Sequence, residues 1–158
     1  MDAMDGMDGR DRATARRRRC LRFFLVVAAF AWGISVAGVF LPWPVAVYWL
    51  QHVGGAGAIP DDPMANYWLR MAAGAFTLVG ALFAAAAWRP ERYAAVIPLY
   101  GWMNLIEGVI LLVSGLLLHL APLPFWADTA FCFVCGAGIL WCCRSAAVAP
   151  PVATPPRA

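Results

Sequence analysis

Four long apolar runs, separated by short polar or proline-bearing joints, set the pattern of this chain. They fall at residues 21–41, 66–88, 94–119 and 125–143. At ~1.5 Å of rise per residue, each is long enough as a helix to approach or span a hydrocarbon core of ~30 Å. The pattern predicts an all-α membrane protein: an antiparallel four-transmembrane-helix bundle over residues 20–143, with a long loop at 42–65. Polar tails flank it. Residues 1–19 are basic and of low complexity, and residues 144–158 are Ala/Pro-rich. Both tails are predicted to be disordered, because few of their residues can bury a core.

The joints carry their own signals. Arg16–Arg19 and Arg22 precede the first run, as in a signal peptide. That run is longer than a signal-peptide core, however, and lacks an A-x-A-like site, so it reads as a retained helix. In the 42–65 loop, Trp43, Tyr48 and Trp49 are aromatic anchors, and residues 44–53 suit a short interfacial helix ended by Gly54, Gly55 and Gly57. Asp62-Pro63 reads as an N-cap followed by a first-turn proline. On the second helix Arg70, Gly74, Thr77, Ala81 and Ala84 fall on one stripe, expected to permit close helix packing. On the third, Gly101, Asn104, Glu107, Gly108, Gly115 and His119 lie within about 60° of one direction, and Pro98 is expected to bend the helix. Val109, Ile110, Val113 and Leu117 face the other way, towards lipid. On the fourth, Asp128, Cys132, Cys135, Ile139 and Cys142 form a stripe.

Composition agrees with this pattern: 63% of residues are hydrophobic, only 13% are charged, and mean hydropathy is +0.69. Soluble domains are about 45–50% apolar and about 25% charged. All twelve basic residues are Arg. Arg10 to Arg22, Arg89, Arg92, Arg144 and Arg157 fall on one side of the four-helix arrangement, and neither opposite joint contains Arg. This positive-inside distribution predicts cytoplasmic N- and C-termini, and the Lys-free, Ala/Arg-rich composition points to a bacterial inner membrane. The basic cluster suits anionic lipid rather than nucleic acid. Met1, Met4 and Met7 are alternative starts.

Candidate chemistry centres on Glu107, near the middle of the third run. A charge at that depth costs roughly 2.5–3.5 kcal/mol or more, so an acid there needs a proton, a cation or a partner. One reading is proton coupling or cation binding. The other is a protonated strut hydrogen-bonded to Asn104, Thr77 or a backbone carbonyl. Arg70 and Asp128 match in depth on the second and fourth helices and are expected to pair. Cys132 and Cys135 form a C-x-x-C. In this motif alone the chain resembles quinone-coupled thiol oxidoreductases of the vitamin K epoxide reductase family. Those enzymes use a second cysteine pair, and no cysteine stands in either outer joint here. A buried thiol is also a poor nucleophile, since the thiolate is the reactive form. His52 and His119 are too few for a metal or haem site, so no metal and no cofactor are expected. Cys142 and Cys143 sit at the Arg-bearing boundary, where palmitoylation is the reading to weigh.

Leu41-Pro42-Trp43, His52, Ile59-Pro60-Asp61-Asp62-Pro63, Tyr67, Arg70, Arg92-Tyr93 and Gly101-Trp102 together resemble a group of small, uncharacterised bacterial membrane proteins of four helices. The resemblance covers roughly residues 25–140 and implies the topology but no activity. The functional expectation is a non-enzymatic structural or accessory protein whose partners are membrane lipid and a second copy or another protein. The alternatives are a small proton-coupled transporter using Glu107, then a thiol redox protein using Cys132 and Cys135.

Overall fold

The computed structural model describes residues 2–53, 56–59, 61–120 and 122–144. Among them every regular element is helical: α1 (Asp2–Gly33), α2 (Val36–Phe40), α3 (Trp43–His52), α4 (Pro63–Trp88), α5 (Ile97–Leu117) and α6 (Pro122–Arg144). Four stretches are long and apolar enough to cross a bilayer: Arg12–Phe40, Pro63–Trp88, Ile97–Leu117 and Phe125–Arg144. This is the build of a multi-pass membrane protein.

The first run is two helices rather than one. α1 stops at Gly33, and α2 begins after Ser35. The joint is held by i→i−3 bonds such as Ser35 N–H to Trp32 O (3.3 Å) and Gly38 N–H to Ser35 O (2.9 Å). A Gly/Ser neighbourhood is a common place for a helix to break. At the other end, α1 extends back to Asp2, so residues 2–19 are helical where the sequence predicts disorder. Propagating an existing helix is far easier than nucleating one, and the segment contains no proline and is rich in Arg, Ala and Met. The predicted disorder of the C-terminal tail falls on residues 145–158, outside the described residues.

α4 starts as its sequence signals. The Asp62 carboxylate accepts from the Met64 and Ala65 N–H groups at 3.2 and 3.3 Å, and Pro63 occupies the first turn. α5 differs from expectation at its start. Residues 93–96 form turns, and Pro98 lies in the opening turn of the helix instead of bending its interior. Proline disfavours a helical residue before it but fits the first turn, where its missing N–H is not needed. α5 ends in a Schellman arrangement. Leu120 N–H donates to Gly115 O (3.1 Å) and His119 N–H to Leu116 O (3.3 Å), with His119 at φ 50 in the left-handed region.

Packing is by close approach of backbones. A Cβ at Gly80 would stand 2.5 Å from Gly33 N, so α1 and α4 cross there almost backbone to backbone. Along α5 and α6 the contacts step in opposite directions: Gly101 meets Leu140 and Gly136, Gly108 meets Cys132, and Gly115 meets Phe125, so these helices run antiparallel. α1 likewise runs against α6, Phe24 meeting Gly138. The buried core joins α1, α4, α5 and α6 through Leu25, Ala28, Phe83, Ala86, Ala87, Ile97, Tyr100 and Ile139. It lies towards the Arg-bearing end, where Arg22 Nε donates to Ala87 O (2.9 Å) and Arg18 meets Glu91 at 3.4 Å.

The small-residue stripe predicted on α4 is displaced. Its buried residues are Ala73, Gly80, Phe83, Ala86 and Ala87, whereas Ala81 and Ala84 are exposed and nothing lies within 4 Å of a Cβ at Gly74. Alanine and glycine occur all round this helix, so size alone does not mark the packed face.

Candidate functional site

A cleft of about 240 Å³ lies between the helices, towards the end opposite the arginines. α1 and the joint after it contribute Trp32 and Ser35, α4 Phe76, α5 Glu107 and Leu111, and α6 Asp128, Phe131 and Cys132. Two carboxyl groups, a hydroxyl, an indole and a thiol therefore line a largely apolar space.

Each wall follows from local structure. Glu107 lies at the centre of α5, on the same face as Asn104 and Gly108, which are buried. Asn104 is 1% exposed and ties α5 to α1: its Oδ1 accepts from Trp32 Nε1 (3.3 Å), and its Nδ2 donates to Tyr100 O (3.0 Å). Trp32 is further held by Phe76, the ring centroids lying 5.1 Å apart. The indole thus forms a fixed wall. Asp128 lies near the start of α6, on the exposed flank of its buried stripe of Thr129, Cys132, Cys135, Gly136, Ile139 and Cys142.

The hydrogen bonds assign roles differently from the sequence expectation. Asn104 is engaged with Trp32 and Tyr100, and Thr77 Oγ1 donates to Ala73 O (2.7 Å) within its own helix. Among the described residues no hydrogen bond reaches the Glu107 carboxyl, so the expected strut to Asn104 or Thr77 does not form. Arg70 does not meet Asp128 either. Its Nε donates to Asn66 Oδ1 (2.8 Å), Nη2 to Leu41 O (3.2 Å) and Nη1 to Val39 O. The guanidinium therefore closes the C-terminal end of α2, where carbonyls lack helical partners and a cation is favoured. A nearer set of unpaired carbonyls outcompetes the carboxylate.

Cys132 and Cys135 are 1% and 2% exposed and are free thiols, packed where an external disulfide cannot reach them. Cys142 is buried and Cys143 half-buried. His52 stacks on Tyr48, with centroids 4.1 Å apart, and its Nδ1 lies 2.8 Å from Tyr48 O. His119 is exposed at the α5 C-terminus. Among the described residues no group of three or more His, Cys, Asp and Glu side chains comes together as a metal site.

Sequence reasoning missed Trp32 and Ser35. A usable signal existed for Trp32: tryptophan favours the ends of spans, and one in mid-run has an N–H that needs a partner. Ser35 carries no such mark. No protein-family model, no curated protein and no solved structure matches this chain.

Proposed function

We propose that the protein is a small carrier of the bacterial inner membrane that exchanges protons for a small cation at the Glu107 cleft, with both termini cytoplasmic. The observation that carries this reading is the placement of Glu107. Its carboxyl lines a cleft with Asp128, while Asn104 and Thr77, the partners expected from sequence, are committed elsewhere. An acid at mid-span with no hydrogen-bond partner among the described residues calls for neutralisation by something that enters, and a carboxylate accepts a proton or a cation but not both. Oxygen ligands suit hard cations, and the Asp128 carboxylate and Ser35 hydroxyl offer more of them on the same cleft. Trp32, Phe76 and Phe131 keep the surroundings apolar, which strengthens any charge interaction there.

The test is proton flux in proteoliposomes carrying a pH gradient, with Na⁺, K⁺ or ethylammonium added outside. Wild type is expected to dissipate the gradient for at least one of them. Glu107→Gln is expected to abolish that response and Asp128→Asn to weaken it, with insertion and helix content unchanged. Flux that survives in Glu107→Gln, or no flux with any of the three ions, would reject the carrier reading.

A second reading, a non-enzymatic accessory protein acting through a partner or its own oligomer, has one observation in its favour. Phe23, Val26 and Phe30 along α1, with Ile34 in the joint after it, are exposed, Phe30 being 73% exposed. It predicts that cysteines placed at Phe23 and Phe30 crosslink between copies, or to another membrane protein, in native membranes.

A further inference from the structure

The cysteines do not meet as their spacing suggests. Cys132 and Cys135 are neighbours on one helix, and both are buried there as free thiols. Cys20 and Cys142 are far apart in sequence and come together in space, their thiols sharing a hydrogen bond. Both line a groove of about 540 Å³ between α1 and α6, at the arginine end of the molecule. The register of the two helices explains the meeting. α1 runs antiparallel to α6, and Phe24 packs on Gly138, where a Cβ would stand 2.5 Å from Phe24 Cζ. About one helical turn further out, Cys20 precedes Phe24 on α1 and Cys142 follows Gly138 on α6, so the cysteines face each other at the next crossing. The missing side chain at Gly138 brings the two helices close, as a bridge between them requires. The two thiols differ in access: Cys20 is exposed, whereas Cys142 is only 8% exposed. Cys143 turns elsewhere and packs against the core.

We infer that Cys20 and Cys142 form a peroxide-oxidisable pair that closes to a disulfide between α1 and α6. Cys20 is the thiol that an oxidant reaches. Its thiolate attacks one oxygen of hydrogen peroxide, the O–O bond breaks, and the released hydroxide takes up the Cys20 proton as water, leaving Cys20 as a sulfenic acid. The Cys142 sulfur then attacks the Cys20 sulfur. The S–O bond breaks, and the hydroxide leaves as a second water with the Cys142 proton. Two thiols have lost two electrons and two protons, and one peroxide has become two waters. The buried thiol needs no access of its own, because its hydrogen-bond partner carries the oxidised sulfur to it. An exposed cysteine beside a second that resolves it is a common arrangement in redox-sensing proteins. The bond ties the first span to the last and so closes the four-helix unit into one covalent loop. With the arginine end in the cytoplasm, as proposed above, ambient thiols keep the pair reduced until oxidant arrives. The chemistry itself is independent of that orientation and of the Glu107 cleft.

The experiment uses the full-length, reduced protein in nanodiscs, treated with hydrogen peroxide, alkylated with iodoacetamide and digested with trypsin for mass spectrometry. Wild type starts with five thiols per chain and is expected to lose two of them. The lost pair should appear as the Cys20–Arg22 peptide joined to the Tyr93–Arg144 peptide through Cys142, and dithiothreitol should release it. Cys143→Ala should leave that link in place. Cys142→Ala should abolish it and leave a Cys20 sulfenic acid that dimedone traps. Cys20→Ala should leave every remaining thiol free. The mapped link in wild type and in Cys143→Ala decides the matter even where Cys142→Ala folds poorly. Five thiols still free in peroxide-treated wild type would overturn the inference. So would a link between Cys142 and Cys143, a Cys20 bridge found only between two copies, or an equal loss of thiols in Cys20→Ala.

Discussion

At the scale of single residues, the polar groups inside the spans divide into those with assigned partners and those, such as Glu107 and the buried Thr129 hydroxyl, with none among the described residues. Asn104 belongs to the first kind. Asn104→Ala would leave the Trp32 N–H facing an apolar interior, at about 1–3 kcal/mol, the usual cost of a buried donor left unpaired. Removing both partners should cost less than the two single changes added together. The double change Asn104→Ala with Trp32→Phe, read by reversible unfolding in mixed micelles, is therefore expected to fall short of the sum of the single changes by about 0.5–1.5 kcal/mol. Arg70→Ala should also destabilise, by about 2–3 kcal/mol, because charge-assisted bonds to two carbonyls vanish at once. Arg70→Lys should recover only part of this, since a compact ammonium cannot span Asn66, Val39 and Leu41 as a planar fork does. His119→Gly tests the opposite sign. Relieving a side chain in the left-handed region is expected to stabilise by about 1 kcal/mol in the same assay. Glu107 stands apart because Asn104 and Thr77, the partners its sequence position suggested, are bonded elsewhere. The sequence marked the residue by depth alone, and depth cannot tell whether a neighbour's hydrogen bonds are already taken.

At the scale of helices, legibility depended on how uneven each helix is. α5 carries glycines and one amide on one side and branched aliphatics on the other, so the burial of Gly101, Asn104, Gly108 and Gly115 could be read from spacing, whereas Glu107 on the same face is half-buried and His119 lies exposed beyond the helix end. On α6 the predicted stripe is buried at Cys132, Cys135, Ile139 and Cys142 but not at Asp128, which is exposed. α4 is alanine and glycine on almost every side, and there the chosen face was wrong. Local chemistry was legible where it is strictly local, as in the Asp62-Pro63 start of α4. It failed where a long-range contact or helix propagation decides, as in the Gly33–Ser35 break and the helical residues 2–19. Paired substitutions on α4 separate the two stripes. Gly80→Ala must push apart backbone at Gly33 and is expected to destabilise the α1–α4 contact by well over the helix-propensity gain. Gly74→Ala meets nothing within 4 Å and should stabilise by about 0.5–1 kcal/mol, the propensity difference between glycine and alanine. If the sequence-derived stripe were the packed one, Gly74→Ala would be the damaging change and Gly80→Ala the benign one, a reversal that one unfolding series decides.

At the scale of the whole molecule, the Glu107 cleft and the Cys20–Cys142 pair sit towards opposite ends, and their meaning depends on which end faces the cytoplasm. Arg16, Arg17, Arg18, Arg22, Arg89, Arg92 and Arg144 share one end, and the Asp128-bearing mouth of the cleft lies towards the other. Inserted with the arginines inside, the thiol pair faces the reducing compartment and the arginines meet the leaflet whose negative surface attracts them. The cleft then opens towards the outer side, where a proton-linked carrier would meet its cation. Native chemistry offers a direct reading of this orientation. Cys20 is the exposed cysteine, Cys132, Cys135 and Cys142 are buried, and Cys143 is half-buried. A membrane-impermeant maleimide should therefore label the wild-type chain at Cys20 in inverted vesicles and leave intact cells unlabelled. Asp61, exposed in the joint between α3 and α4, supplies the opposite marker: Asp61→Cys in a Cys20→Ser background should label from outside and not in inverted vesicles. The reverse pattern would place the arginines outside, against the charge rule. The cleft would then face the cytoplasm, and the same Glu107 chemistry would have to act on an internal cation. Labelling of both markers from both sides would mean dual insertion, and the carrier would then work as two oppositely oriented copies.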